Sequence, residues 1–179
     1  MKAFHTACCI IPPQEVWPQI QAIRKKHDAS FVRWPPHVNL FFPFVETSEF
    51  EDKSVLLEKA LSNIEPFKIR LETFDHFSHA KKNVLWLKPQ DDSGECEKVK
   101  SVCRECANVL SGVDNSRPYN PHLSMGQFPK DKNFESVREK FQSGWEPIEF
   151  LCSEIYLISR DGKDDPMHIR KIVPIGKNC

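Results

Sequence analysis

Two short stretches, His37-Val38-Asn39-Leu40 and His122-Leu123-Ser124-Met125, each set a histidine two residues before a polar side chain, and a proline precedes each histidine. Side chains on a strand alternate faces, so His37 shares a face with Asn39 and His122 shares one with Ser124. The apolar residues Val38, Leu40, Leu123 and Met125 point the other way. One imidazole can take a proton while the other gives one, because histidine titrates near neutrality. Asn39 and Ser124 supply hydrogen-bond donors to the non-bridging oxygens of a phosphate held between the rings. The set predicts metal-free, in-line attack on a phosphodiester. One histidine would activate water and the other would protonate the departing ribose oxygen, with the assignment of base and acid left open. A single strand histidine is ordinarily a packing or surface residue; the matched repetition is what favours chemistry.

Neighbouring residues extend this expectation. Arg33 and Arg117 flank the two motifs, and a guanidinium binds phosphate bidentately. Trp34 and Tyr119 offer rings on which a base can stack, whereas Phe42 is expected in the core. His5, on the first strand, is expected to face the same cleft. His76-x-x-His79 has only Asp75 as an adjacent carboxylate and no cysteine nearby, so no metal is expected there. Cys103-x-x-Cys106 falls with Cys96, Val99 and Leu110 on one helical face, which reads as core packing. Neither metal nor cofactor is expected.

The elements that must position these residues follow from periodicity. Phe4 to Ile11 reads as a strand buried on both faces, and residues 14 to 27 as a helix with Pro18 in its first turn and cations near its end. The first histidine stretch forms a bent or edge strand. Ser48-x-x-Glu51 has capping-box spacing before a helix carrying Val55, Leu56, Leu57, Ala60 and Leu61. Phe67 to Leu71 and Val84 to Leu87 read as a hairpin joined through Ser78 to Asn83. The cysteine-bearing helix runs from about Asp91 to Leu110, and the second histidine strand follows an irregular segment. Phe134 to Phe141 forms a last helix closed by Gly144. Phe150 to Ser159 and His168 to Ile175 form a terminal hairpin. The order predicts an α+β domain whose two halves each contribute one histidine strand.

Composition narrows the partners. The 179 residues carry 25 basic and 25 acidic side chains, a zero formal charge that argues against coating long nucleic acid but allows a local patch for one or two phosphates. No apolar run approaches the roughly 20 residues of a membrane span. Seven cysteines and the start Met1-Lys2-Ala3-Phe4-His5, which lacks an apolar signal core, point to a reducing cytoplasm or nucleus. A monomer is expected.

The paired motifs resemble the His-x-Thr/Ser-x repeats of the LigT-like 2H phosphoesterase superfamily, which contains RNA 2′,3′-cyclic phosphodiesterases and 2′-5′ RNA ligase-like proteins. His122-Leu123-Ser124-Met125 matches that pattern, and His37-Val38-Asn39-Leu40 departs from it at Asn39. The resemblance extends over nearly the whole chain. It implies one 2H phosphoesterase-like domain over residues 1–179, with two pseudo-symmetric lobes, antiparallel-rich sheets lining a central cleft and helices outside. It implies His37 and His122 as the acid–base pair, Asn39 and Ser124 as phosphate donors, and small RNA ends, oligonucleotides or cyclic nucleotides as substrates. The alternative is a nucleotide- or RNA-end-binding module with little turnover, for which Asn39 is the motive. A third reading, an interaction domain carrying both motifs as relics, has only the neutral charge behind it.

Overall fold

The computed structural model describes residues 3–113, 118–131 and 133–177. Eight strands alternate with four α-helices. In chain order they are β1 (Thr6–Ile10), α1 (Trp17–His27), β2 (Val38–Phe41), α2 (Phe50–Leu61), β3 (Phe67–Ser78), β4 (Lys82–Pro89), α3 (Glu95–Val109), β5 (Leu123–Pro129), α4 (Phe134–Ser143), β6 (Ile148–Cys152), β7 (Glu154–Ser159) and β8 (His168–Pro174). The architecture is α+β, as the sequence predicts.

All strands join one antiparallel sheet in the order β6-β3-β4-β5-β2-β1-β7-β8. It divides into two four-stranded halves, and the seam between them is the single register pair Val38–Leu123. Each half contributes one histidine strand to that seam. Strands β6 and β7 are separated by Ser153 alone, yet one lies at the edge of the first half and the other inside the second. The sheet must therefore curl until those two places meet.

Residues 150 to 159 are accordingly not one strand, as their apolar run predicts. The interruption at Ser153 sends β6 to β3 and β7 to β1 and β8. The predicted hairpin exists, but its strands are longer than the apolar runs, because cross-strand pairing continues through polar positions as far as Ser78–Asn83. The long stretch around the first histidine gives only four strand residues. The capping box does not form: a 3-10 turn at Thr47–Glu49 precedes α2, and no side chain caps it. Helix α2 buries Phe50, Leu57 and Leu61, whereas Val55 and Leu56 are exposed. At 3.6 residues per turn those two lie over roughly 100° round the helix from the buried stripe.

Both faces of the sheet are covered at β1, whose five residues are all buried. Cys8 and Ile10 join the larger core with Val38, Leu40, Leu57, Leu123 and Met125. Ala7 and Cys9 join a smaller one with Trp34, Ile158 and Met167. Helix α1 lies against β5, where Gly126 has no side chain to hold it off: a Cβ there would stand 2.6 Å from the Cβ of His27. Helix α2 packs on β8 and α3. Cys96, Cys103 and Cys106 of α3 are buried and unbridged, in line with the packing role expected of them. Burial pushes the Cys103 thiol up to about 11 and raises that of Cys106 as well. Among the described residues, no helix is long and apolar enough to cross a membrane.

Candidate active site

The two histidines are held by the same local device. His37 Nδ1 donates to the carbonyl of Pro35 at 2.8 Å, and His122 Nδ1 donates to the carbonyl of Asn120 at 2.8 Å. In each motif the acceptor precedes the proline, whose fixed φ and missing N–H shape the turn that brings carbonyl and ring together. The bond fixes the tautomer, so each neutral ring keeps its Nε2 lone pair.

Continuing the antiparallel register outward from Val38–Leu123 sets His37 opposite Ser124 and Asn39 opposite His122. The four residues thus meet across the seam with approximate two-fold symmetry. Asn39 Nδ2 donates to His37 Nε2 at 3.2 Å, and Asn39 Oδ1 is buried without a partner among the described residues. The Tyr119 hydroxyl donates to the Asn39 carbonyl at 2.8 Å, tying the segment before His122 to β2.

Aromatic rings back each imidazole. Trp34 stacks on His37 with centroids 4.6 Å apart, and Phe77 meets His122 edge-on at 5.0 Å. Trp86, paired with Ser124 across β4 and β5, lies 5.6 Å from His122 and buries an indole N–H that has no acceptor among the described residues. Burial lowers the pKa of His37 to about 4, against the Pro35 bond that raises it; positive charge on Arg24 and then on His122 lowers it further, and Asp28 opposes them. Burial also lowers His122, opposed by its bond to Asn120. Both shifts favour the neutral ring, and the antiparallel register across the seam brings the two rings near one another.

A network behind His37 fixes the approach to β2. Arg24, buried on α1, donates to Asp28 Oδ2 at 2.8 Å and to the Trp34 carbonyl at 3.0 Å. Asp28 Oδ1 takes the Ser30 N–H and the Gln127 amide of β5. Helix, loop and strand are thereby locked around the ring on which His37 stacks.

A cavity of about 770 Å³ opens beside the pair, lined in part by Asn39, His122, Phe42, Phe77 and Tyr119, and on α3 by Lys100 and Arg104. His37 reaches it through Asn39, and Ser124 does not line it. Phe42, expected in the core, is 42% exposed because it stands past the end of β2, where the sheet no longer covers it. Trp34 is buried beneath His37. The Arg33 side chain reaches Ser30 Oγ at 3.5 Å and does not line the cavity. His5 precedes β1 and faces Glu46, away from this cavity. Arg117 lies outside the described residues. His76 and His79 belong to no cluster of three or more metal-ligating side chains among the described residues.

Sequence reasoning missed Trp86, Phe77, Lys100 and Arg104. Trp86 sits in a run that reads as plain core. Lys100, Arg104 and Ala107 are spaced at four and three residues beside the cysteine face, a stripe legible only as the polar border of an amphipathic helix.

Known proteins share this fold. E. coli LigT complexed with 3′-AMP superposes with a TM-score of 0.62 at 17% identity, over 96% of this chain and 97% of that one. A Thermus thermophilus protein superposes with a TM-score of 0.61 at 16% identity, over 97% and 100%. A Bacillus licheniformis protein named as a phosphoesterase is 24% identical over 133 residues, 72% of this chain and 73% of its own. Residues 12–164 match the family model of the 2′-5′ RNA ligase superfamily. Paired histidine motifs, a curled antiparallel sheet and that match together place the chain in the 2′-5′ RNA ligase superfamily, with the LigT-like phosphoesterase fold.

Proposed function

We propose that the protein is a metal-independent phosphodiesterase that opens a 2′,3′-cyclic phosphate or cleaves a 2′-5′-linked end of a small RNA or nucleotide. The observation that carries this reading is the matched tethering of His37 and His122, each spending Nδ1 on a backbone carbonyl and keeping Nε2 for substrate. His37 is the better base, since its depressed pKa keeps the lone pair available. It takes a proton from water, the water oxygen bonds to phosphorus, and the bond from phosphorus to the ribose oxygen breaks. His122, protonated in the competent state, gives its proton to that oxygen. Asn39, once its amide leaves His37, and Ser124 donate to the non-bridging oxygens, and Lys100 and Arg104 offset the phosphate charge. E. coli LigT has been complexed with 3′-AMP, ATP and NADP+, which supports a nucleotide as the bound group.

A second reading, a nucleotide- or RNA-end-binding module with little turnover, rests on the Asn39 amide that occupies the His37 lone pair. Incubation with nucleoside 2′,3′-cyclic phosphates in EDTA separates the two. Conversion to the monophosphate is expected. Saturable binding without product over long incubation would favour the module.

A further inference from the structure

We propose that Gln127, Asp28 and Arg24 are positioning residues: a polar strap that runs from the strand of His122 to the turn before His37 and sets the two histidines at the spacing that acid–base work on one phosphate requires. This rests on the reading of the histidine seam as a phosphodiester site.

The seam calls for such a strap. Strands β2 and β5 share the single register pair Val38–Leu123, whereas the flanking ladders β4–β5 and β1–β2 each run through several. Apolar packing beneath the seam joins the two half-sheets, but it is non-directional. A misplacement of about 1 Å at the reacting groups is enough to cost about 10²-fold in rate. On one side of the pair, the Tyr119 hydroxyl already ties the segment before His122 to the Asn39 carbonyl.

Helix α1 supplies the tie on the other side. By chain it belongs to the second half-sheet, between β1 and β2, yet it lies against β5 of the first. Gln127 of β5 uses both ends of its amide on the turn that closes α1. Its Oε1 accepts from the Ala29 N–H at 2.8 Å, and its Nε2 donates to Asp28 Oδ1 at 3.1 Å. Asp28 Oδ2 takes Arg24 Nε at 2.8 Å, and Arg24 Nη2 donates to the Trp34 carbonyl at 3.0 Å. The next carbonyl, that of Pro35, holds His37 Nδ1, and the Trp34 ring stacks on the same imidazole. Directional bonds thus lead all the way from β5 to His37.

Stability alone does not account for this arrangement. The Arg24 and Asp28 side chains are each 2% exposed, and a buried ion pair commonly stabilises no better than apolar packing of the same volume, because both charges lose their water. What the pair provides is geometry. The guanidinium is a rigid planar fork, and Gln21 Oε1 holds its Nη1 at 3.0 Å, so it cannot turn away from Trp34.

Gln127→Met tests the strap, since the position is only half-buried and Asp28 keeps its bonds to Arg24 and the Ser30 N–H. With a nucleoside 2′,3′-cyclic phosphate in EDTA, kcat should fall about 10–100-fold while KM stays within about twofold. Arg24→Lys, which keeps the charge beside Asp28 but loses the fork, should show the same split. In a His122→Ala background Gln127→Met should cost nothing further, because no second histidine remains to be placed. Nitrogen–proton correlation spectra of the histidine rings, titrated with a nucleoside 3′-monophosphate, read the placement without turnover. In the wild type one saturation curve should shift His37 and His122 together, and in Gln127→Met the two responses should part. Wild-type kcat in both variants, a change in KM alone, or the same loss of kcat in the His122→Ala background would overturn the proposal. Paired shifts that part in the variant, with no turnover by the wild type, would sink the catalytic reading and keep the strap. Turnover that both variants leave unchanged would do the reverse. Wild-type rings that never respond together would end the proposal, and absence of turnover as well would end both.

Discussion

The Nδ1–H of His37 is spent on the Pro35 carbonyl and that of His122 on the Asn120 carbonyl, so the rings differ in surroundings rather than in tethering. His37 is sandwiched between Trp34 and the Asn39 amide, with burial lowering its pKa to about 4, whereas His122, beside an edge-on Phe77 and a tilted Trp86, is lowered by burial against its bond to Asn120. With His37 as base and His122 as acid, kcat/KM for a cyclic phosphate should be bell-shaped in pH. Activity should fall below about pH 4 as His37 takes a proton. It should also fall above a point lying below the ordinary histidine value, as His122 loses its proton. The bound phosphate anion favours protonated imidazole, so the limbs of kcat should lie at higher pH than those of kcat/KM. A pH–rate series on both parameters checks this. A profile flat across that range would contradict the assignment.

At the scale of elements, the alternation along residues 37–40 and 122–125 was legible because a strand's two faces are written into consecutive residues. The helices were legible for the same local reason, down to the buried cysteine face of α3. What the sequence hid was long-range. The parting of β6 from β7 at Ser153 depends on partners far away in the chain. Trp86 and Phe77 join the site only because pairing across β3, β4 and β5 carries them to His122. Gly126 is another such position: it looks unremarkable in a strand, yet α1 can lie on β5 only because it has no side chain. Gly126→Ala should therefore push α1 away through the backbone of His27 and disturb the Arg24–Asp28–Trp34 lock. The expected cost is about 1–3 kcal/mol, read as a lower midpoint in urea unfolding. An unchanged midpoint would mean that the helix is free to shift.

For the molecule as a whole, two half-sheets meeting at one residue pair account for the place of the proposed chemistry: each half holds only one of the two histidines, so the pair exists only at the seam. The same placement has a thermodynamic consequence. His37 titrates near 6.5 in the unfolded chain and near 4 in the folded one. Between those values the unfolded state binds a proton that the folded state refuses, so the His37 contribution to stability is full above about pH 6.5 and is lost as pH drops toward 4. Urea unfolding at stepped pH should show this slope, and His37→Gln should make it shallower, leaving the part owed to His122 and His27, whose pKa values burial also lowers. A wild-type slope identical to that of the variant would remove His37 as its source.

The central claim is that the two histidines act as one acid–base pair on phosphorus. It is tested most directly by the rate of ring opening of an oligonucleotide 2′,3′-cyclic phosphate in EDTA, measured for the wild type, His37→Ala, His122→Ala and the double variant. Each single substitution should lower kcat by about 10²–10⁴-fold, and the double variant should lose little more than either alone, because one missing partner already disables the pair. Near wild-type turnover in either single variant would contradict the account.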